Sequence, residues 1–395
     1  MGTRFHWEGN IGPLQAFLLR CNIRRDLPDG QLVSRIVRII MHGYPRNVFA
    51  KSSSAKVGHR DHRSTRFASY AAAGLIALAA SAGLNKWLAV RAERRNPARG
   101  QFISVNGVRL HYVDQGQGDV LVLLHGNGSM IEDFESSGLI REASKRFRVI
   151  AFDRPGFGHS DRPKTTNWTP DAQAALFKAA LTQLGITQSI VVGHSWGCSV
   201  AIAMGLRHPE QVKALVLASG YYYPSARLDV VPMSFPAVPV IGDLIRWTLA
   251  PMLSRLLWPV LLRKMFGPAT VPAKFSSFPE EMAFRPSQIG ASAAETAMMI
   301  PNATKSCSHY PELEMPVVII AGGQDRLIDA DDQSARLHGD VANSTFHRVA
   351  GSGHMVHQTA TLRLMAAIDE AEGLTKNDRV HGTHEQVPQR SRPAA

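Results

Sequence analysis

From about residue 101 onward, short continuous apolar runs alternate with stretches of helical period. Val120–Leu124, Arg148–Phe152, Ser189–Val192 and Ala214–Ala218 are such runs, the pattern of strands buried on both faces of a parallel sheet, and strands resume at Val317–Ala321 and Thr345–Val349. Asp171–Leu184 and Trp196–Arg207 have helical periodicity, and a last helix is predicted across Thr359–Glu372. Phe102–Val105 and Val108–Val113 flank Asn106-Gly107, a two-residue hairpin signal. Strands alternating with helices predict an α/β fold with a doubly wound, mostly parallel sheet.

The alternation breaks at Tyr221. Residues 221–308 are apolar and punctuated by prolines such as Pro224, Pro232, Pro239, Pro251 and Pro259, with amphipathic pieces at Leu244–Leu249 and Met252–Met265. This predicts a helical insertion. After Gly373 the chain turns polar, and residues 374–395 are expected to be a disordered tail. At the other end, Phe67–Leu84 holds 18 residues without a charge, about 27 Å of helix and just enough to cross a hydrocarbon core. Lys86, Trp87 and Leu88 extend it toward Val90, with the lysine snorkelling. Arginines precede it and Lys86, Arg91, Arg94 and Arg95 follow, so charge leaves the orientation undecided. The alternatives are an Ala-rich helix packed on the domain and a signal peptide cut near Ala80-Ser81-Ala82. Against the second, 66 residues precede the run. The expected organisation is a basic irregular extension over 1–66, a transmembrane anchor over 67–90, one domain over 91–373 with its cap at about 221–308, and the polar tail.

Charge sharpens this division. The net charge is +12, but residues 1–66 hold 12 Lys/Arg against 4 Asp/Glu and residues 67–100 hold 5 against 1. Residues 101–395 carry 27 of each sign. The high isoelectric point therefore belongs to the N-terminal part, and no nucleic-acid partner is expected. Cys21, Cys198 and Cys307 lie far apart and form neither a disulfide framework nor a thiolate metal site.

Chemistry gathers at the carboxyl ends of the predicted strands. Gly193-His194-Ser195-Trp196-Gly197 joins a strand directly to a helix. A serine on so sharp a turn needs small neighbours, and Gly193 and Gly197 supply them. Its hydroxyl needs a base to act as a nucleophile. Gly322-Gly323-Gln324-Asp325 and Gly351-Ser352-Gly353-His354 place a carboxylate and an imidazole after the next suitable strands. Open α/β sheets bind ligands on that side. Ser195, His354 and Asp325 are thus the candidate nucleophile, base and orienting acid. Asp331 and Asp332 are expected as N-cap and first-turn acids, His357 as a supporting group or rival base, and His194 and His159 as pocket or local hydrogen-bonding residues. An oxyanion hole is expected from the backbone N–H groups of Trp196 and Asn127, with Gly126 and Gly128 allowing close approach. No metal and no cofactor is expected.

The ordered motifs HGNG, DRPGFGHSDRP, GHSWG, GGQDRL and GSGHMVHQ resemble the α/β-hydrolase superfamily, in its lidded serine esterase and lipase-like branch, across about residues 101–373. The resemblance implies an eight-stranded sheet with a cap after strand six. Related haloalkane dehalogenases and epoxide hydrolases carry aspartate as nucleophile, and Ser195 argues against both. The expected activity is cleavage of a carboxylic ester of a hydrophobic, lipid-like small molecule through an acyl-enzyme, next to a membrane. The alternatives are a carbon–carbon bond hydrolase, a cofactor-free haloperoxidase-like perhydrolase, or an inactive binding protein on the same fold.

Overall fold

The computed structural model describes residues 62–382. Almost all of the basic extension lies outside them, as do residues 383–395. Helix α1 (His62–Arg95) leads into the hairpin β1 (Gln101–Val105) and β2 (Val108–Gln115). Its turn, Asn106-Gly107, has both residues at positive φ, 50° and 79°, the geometry that matches the twist of two paired strands.

Six more strands complete the sheet: β3 (Val120–Leu124), β4 (Arg148–Phe152), β5 (Ser189–His194), β6 (Val212–Ala218), β7 (Val317–Gly322) and β8 (Ser344–Val349). Their order is β1-β2-β4-β3-β5-β6-β7-β8. β2 runs antiparallel to its neighbours and β4 through β8 are parallel. The central strands are apolar on both faces because both are covered. Val122, Leu124, Val191 and Leu217 face one core with helices α3 (Pro170–Gln183) and α4 (Trp196–Arg207). Leu121, Leu123, Val192 and Val216 face the other, with α2 (Ile131–Ser137) and α9 (Thr361–Gly382). This is the doubly wound, mostly parallel sheet expected from the alternating runs, with the eight strands that the resemblance implies.

Between β6 and β7 the chain leaves the sheet for helices α5 (Val230–Ser234), α6 (Ile241–Thr248), α7 (Ala250–Phe266) and α8 (Pro286–Ser306). Three expectations are corrected at the edges. Helix α9 continues to Gly382, past Gly373, because Leu374 still packs against the core. Helix α1 starts at His62, inside the expected irregular segment. Asp331 and Asp332 are first-turn acids as expected, but the capping before the turn at Asp331–Ala335 is done by Asp329, whose Oδ1 accepts from the N–H of Asp331 at 2.8 Å and of Asp332 at 3.0 Å.

Candidate active site

Ser195 stands between β5 and α4 with φ 52° and ψ −117°, a region that side chains rarely occupy. The strain is held from several sides. The Ser195 N–H donates to the Ala218 carbonyl at 2.9 Å, and the Ser195 carbonyl accepts from Cys198 N–H at 3.0 Å. A Cβ at Gly193 would collide with the carbonyl of Gly197, and one at Gly197 with the carbonyl of Leu124. Both glycines are therefore required by the close crossing of strand, turn and helix. The rest of the turn is buried, while Ser195 itself is half-buried and open on one side.

The loops after β7 and β8 bring Asp325 and His354 together. His354 Nδ1 lies 2.7 Å from Asp325 Oδ2, with both side chains almost fully buried. The other carboxylate oxygen, Oδ1, accepts from the N–H of Leu327 at 2.8 Å and of Ile328 at 3.1 Å. Asp325 is thereby fixed in orientation and can hold one imidazole nitrogen, leaving the other free to act. The main chain of His354 is tied twice: its N–H donates to Met265 O at 2.9 Å, and its carbonyl lies 3.2 Å from His194 Nε2.

Gly126, after β3, packs against the serine turn. A Cβ there would lie 3.0 Å from His194 Nδ1 and 3.1 Å from Ser195 Cβ. Asn127 follows, and its side chain donates to Ser292 O at 3.1 Å and Thr296 Oγ1 at 3.0 Å on α8. The Asn127 Nδ2 group is thus committed to the cap, which leaves its backbone N–H as the donor it can offer an oxyanion. Trp196 is the first residue of α4 and is buried. A helix N-terminus there favours a developing negative charge.

Sequence reasoning missed what holds the β3 loop. Arg154, fully buried, donates through Nε to His125 O at 2.8 Å and through Nη2 to Gly126 O at 2.9 Å, and it pairs with Glu295 on α8. Gln173 accepts from Nη1 at 3.1 Å. Burial, with the Arg154 charge beside it, pushes His125 down to about 3, so the ring stays neutral and accepts from the Arg154 N–H at 3.0 Å. The only hint was Arg154 standing within an Asp-Arg-Pro-Gly turn after an apolar strand; Glu295 lies among alanines with no signal at all.

A second buried group sits behind the serine. His357 Nε2 lies 3.0 Å from Asp133 Oδ1, and the His194 and His357 rings are 4.2 Å apart. Burial alone would raise the Asp133 carboxyl, but the adjoining His357 and its hydrogen bond hold it well below the usual range. Burial likewise drives His194 well below its ordinary value, helped by His357 and His354. Among the described residues, Asp133, His194 and His357 are the three ligating side chains gathered closely enough to hold a metal. Asp133 is, however, already engaged by Ser129 Oγ at 2.8 Å and Gln358 Nε2 at 2.8 Å. His357 therefore supports this cluster instead of facing Asp325. His159 lies apart, its N–H donating to Asp153 at 2.9 Å.

Residues 119–361 match the family model of the α/β hydrolase fold. The chain belongs to the α/β-hydrolase fold family. It is 30% identical over 258 residues to the 2-hydroxy-6-oxononadienedioate/2-hydroxy-6-oxononatrienedioate hydrolase of Paraburkholderia phymatum, covering 62% of this chain and 85% of that protein. It is 35% identical over 146 residues to the 2-hydroxymuconate semialdehyde hydrolase of Pseudomonas sp. (strain CF600), covering 36% of this chain and 52% of that protein. The chain thus spans about half the length of the semialdehyde hydrolase. A solved meta-cleavage product hydrolase from Pseudomonas fluorescens IP01 superposes with a TM-score of 0.54 at 23% identity, covering 70% of this chain and 99% of that one, a likeness of fold.

Within this hydrolase family frame, Ser195, Asp325 and His354 come from three loops at the same end of the parallel strands. Asn127 and Gly126 come from a fourth. The arrangement can deprotonate a hydroxyl, hold an imidazolium and present backbone N–H groups to an oxyanion.

Proposed function

We propose that this hydrolase works through Ser195 as nucleophile, His354 as general base and Asp325 as the orienting acid, with the N–H groups of Asn127 and Trp196 binding the oxyanion. The observation that carries the reading is the 2.7 Å contact between His354 Nδ1 and Asp325 Oδ2, set beside a serine strained at positive φ. His354 takes the Ser195 proton as Oγ attacks a carbonyl carbon; the proton passes to the leaving group, and water then releases the acyl fragment.

For the bond cleaved, the relatives favour carbon–carbon hydrolysis over the expected carboxylic ester. The two hydrolases named above act on enol acids that carry a further carbonyl and contain no ester. Water can hydrolyse such a molecule only at a carbon–carbon bond beside the carbonyl. The attacked carbon leaves as a carboxylic acid, and the bond's electron pair goes to the neighbouring carbon, which takes a proton. Ester cleavage stays as the second reading, favoured by the large apolar side chains exposed across α5, α6 and α7.

Purified full-length protein offered 2-hydroxy-6-oxo-dienoates and p-nitrophenyl esters of rising chain length decides between them. Preferred turnover of the dienoate supports the carbon–carbon reading, and preferred turnover of long-chain esters overturns it. Either activity, and adduct formation with a fluorophosphonate probe, should vanish in Ser195→Ala. An unlabelled but folded wild-type protein would remove the serine mechanism altogether.

One helix among the described residues, Ser69–Arg95, is long and apolar enough to cross a membrane, and it is mostly exposed. That exposure is unlike a core helix, and it supports reading α1 as a membrane anchor. Retention of the protein in vesicles at alkaline pH tests this; release into the supernatant would count against it.

A further inference from the structure

Helix α1 has two parts. Every described side chain from Arg66 to Ala77 is exposed, so this half stands clear of the domain. From Leu78 onward a stripe at helical spacing (Leu78, Ser81, Asn85, Leu88, Ala92) turns inward. There Ser81 Oγ donates to Thr248 O at 2.9 Å, and Asn85 Nδ2 donates to Trp247 O at 3.0 Å and Thr248 O at 2.9 Å. These partners lie at the end of α6, just before α7.

The free half is too short to span a bilayer. A hydrocarbon core of about 30 Å needs about 20 helical residues. Arg63 and Arg66 bar an earlier start, so a span beginning at Phe67 ends near Lys86 and Trp87. The last ~15 Å of it, residues 78–87, is the part that lies along α6 and α7. If α1 crosses a membrane, the cap beside it stands at the depth of one leaflet.

The cap surface has the chemistry for that position. On α7, Met252, Leu253, Leu256, Leu257 and Val260 form one exposed stripe at spacings of one, three and four, with Leu256 75% exposed. Arg263 and Lys264 continue it one turn further, and α7 carries Arg255 as well but no acidic residue. Leu244 and Leu249 extend the apolar surface across α6 and its end, and Val231, Phe235 and Val240 across α5 and the turn after it. Exposed apolar side chains in this number on three neighbouring helices mark a contact site. A leucine-rich face ending in cations is the composition that lies in an anionic lipid interface.

We infer that the outer face of the cap, α5 to α7, is a second membrane surface, inserted in the leaflet beside α1 and held there by anionic headgroups on Arg263 and Lys264. The inference rests on reading α1 as a spanning anchor, and it changes what the cap is for. The C-terminal end of α7 supplies the Met265 carbonyl that holds the His354 N–H, and a Cβ at Gly353 would run into the Gly267 carbonyl. The lipid-facing helix therefore ends on the loop of the proposed base, and a substrate dissolved in the leaflet meets the cap before it meets water.

The test uses full-length protein in vesicles of phosphatidylcholine and phosphatidylglycerol, with Cys21 and Cys307 replaced by serine. An environment-sensitive dye is placed at Leu256→Cys on α7, Tyr70→Cys on the free half of α1, or Leu362→Cys on α9. Leu256, Tyr70 and Leu362 are all exposed, so none of the three changes disturbs packing. The expected result is blue-shifted emission at positions 256 and 70, lost when the lipid acyl chains are brominated, with water-like, unquenched emission at 362. Quenching at 70 alone would overturn the inserted cap while leaving the anchor standing. Quenching at neither would remove both. Blue-shifted emission at 256 that bromolipid does not quench would assign the face to a second copy of this chain and overturn the proposal.

Discussion

At the scale of single residues, the proposed chemistry depends on which nitrogen of His354 is free. Asp325 Oδ2 occupies Nδ1 at 2.7 Å, and two backbone N–H groups fix the other oxygen of the same carboxylate. In Asp325→Asn the side chain keeps its shape, but its amide can impose the wrong tautomer on the ring. The expected outcome is a kcat lower by roughly 10,000-fold with KM little changed, measured on whichever substrate the wild type turns over. Asn127 has a different expectation, because its proposed contribution is a backbone N–H and its side chain belongs to α8. Asn127→Ala should keep the oxyanion donor while losing the contacts to Ser292 and Thr296. Steady-state kinetics should then show KM rising through a loosened cap and kcat within about tenfold of wild type; a loss of roughly 100-fold or more in kcat would mean that the side chain itself meets the oxyanion.

At the scale of elements, the joint between cap and sheet is the feature least visible in the sequence. Arg154 and Glu295 stand 141 residues apart, both fully buried, and hold α8 against the β3 loop. Removing one partner of a buried ion pair strands the other charge away from water. Glu295→Gln should lower unfolding stability by about 3–5 kcal/mol, read from the denaturant midpoint, and the β3 loop should loosen with it. A change under about 1 kcal/mol would mean that the carbonyls of His125 and Gly126 suffice for the guanidinium. The contrast explains what was legible beforehand. Strands such as Val120–Leu124 and Arg148–Phe152 match their expected bounds residue for residue, because burial on both faces leaves an unbroken apolar run. The loops bearing Ser195 and Asp325 could be found because each directly follows such a run, and that of His354 because it follows the strand over Thr345–Val349, although that strand is only partly buried. Arg154, Glu295 and Asp133 could not be assigned, and His357 only as a supporting group or rival base with no partner named, since their partners are set by how helices pack across the sheet rather than by local pattern. The end of α9 was misplaced for a related reason: a polar helix held by one more core contact at Leu374 looks like a tail.

At the scale of the whole molecule, the buried imidazoles set how the fold responds to acid. His125 is neutral in the folded protein, with its ionisation pushed down to about 3 by burial and Arg154, against an ordinary value of 6.5. His194 is shifted in the same direction. A histidine that resists protonation when folded but accepts a proton when unfolded favours the unfolded chain as pH falls. The contribution of these two histidines is therefore full above pH 6.5 and declines below it, for His125 toward about 3. Asp133 acts in a lower window: its folded value is depressed, so its contribution is complete above 3.8 and is lost only as pH falls further. Unfolding midpoints in detergent from about pH 8 to about pH 4 should thus carry this histidine loss from near 6.5 downward, opposed by Glu132, whose buried carboxyl is raised to about 7 and favours the folded chain as pH falls toward 4.5. His125→Gln should start from a lower midpoint, because its bonds to Arg154 and Gly126 are disturbed, yet show a shallower slope between about pH 6.5 and pH 4. An unchanged slope would assign the acid sensitivity to His194 behind Ser195 and take it away from the β3 loop.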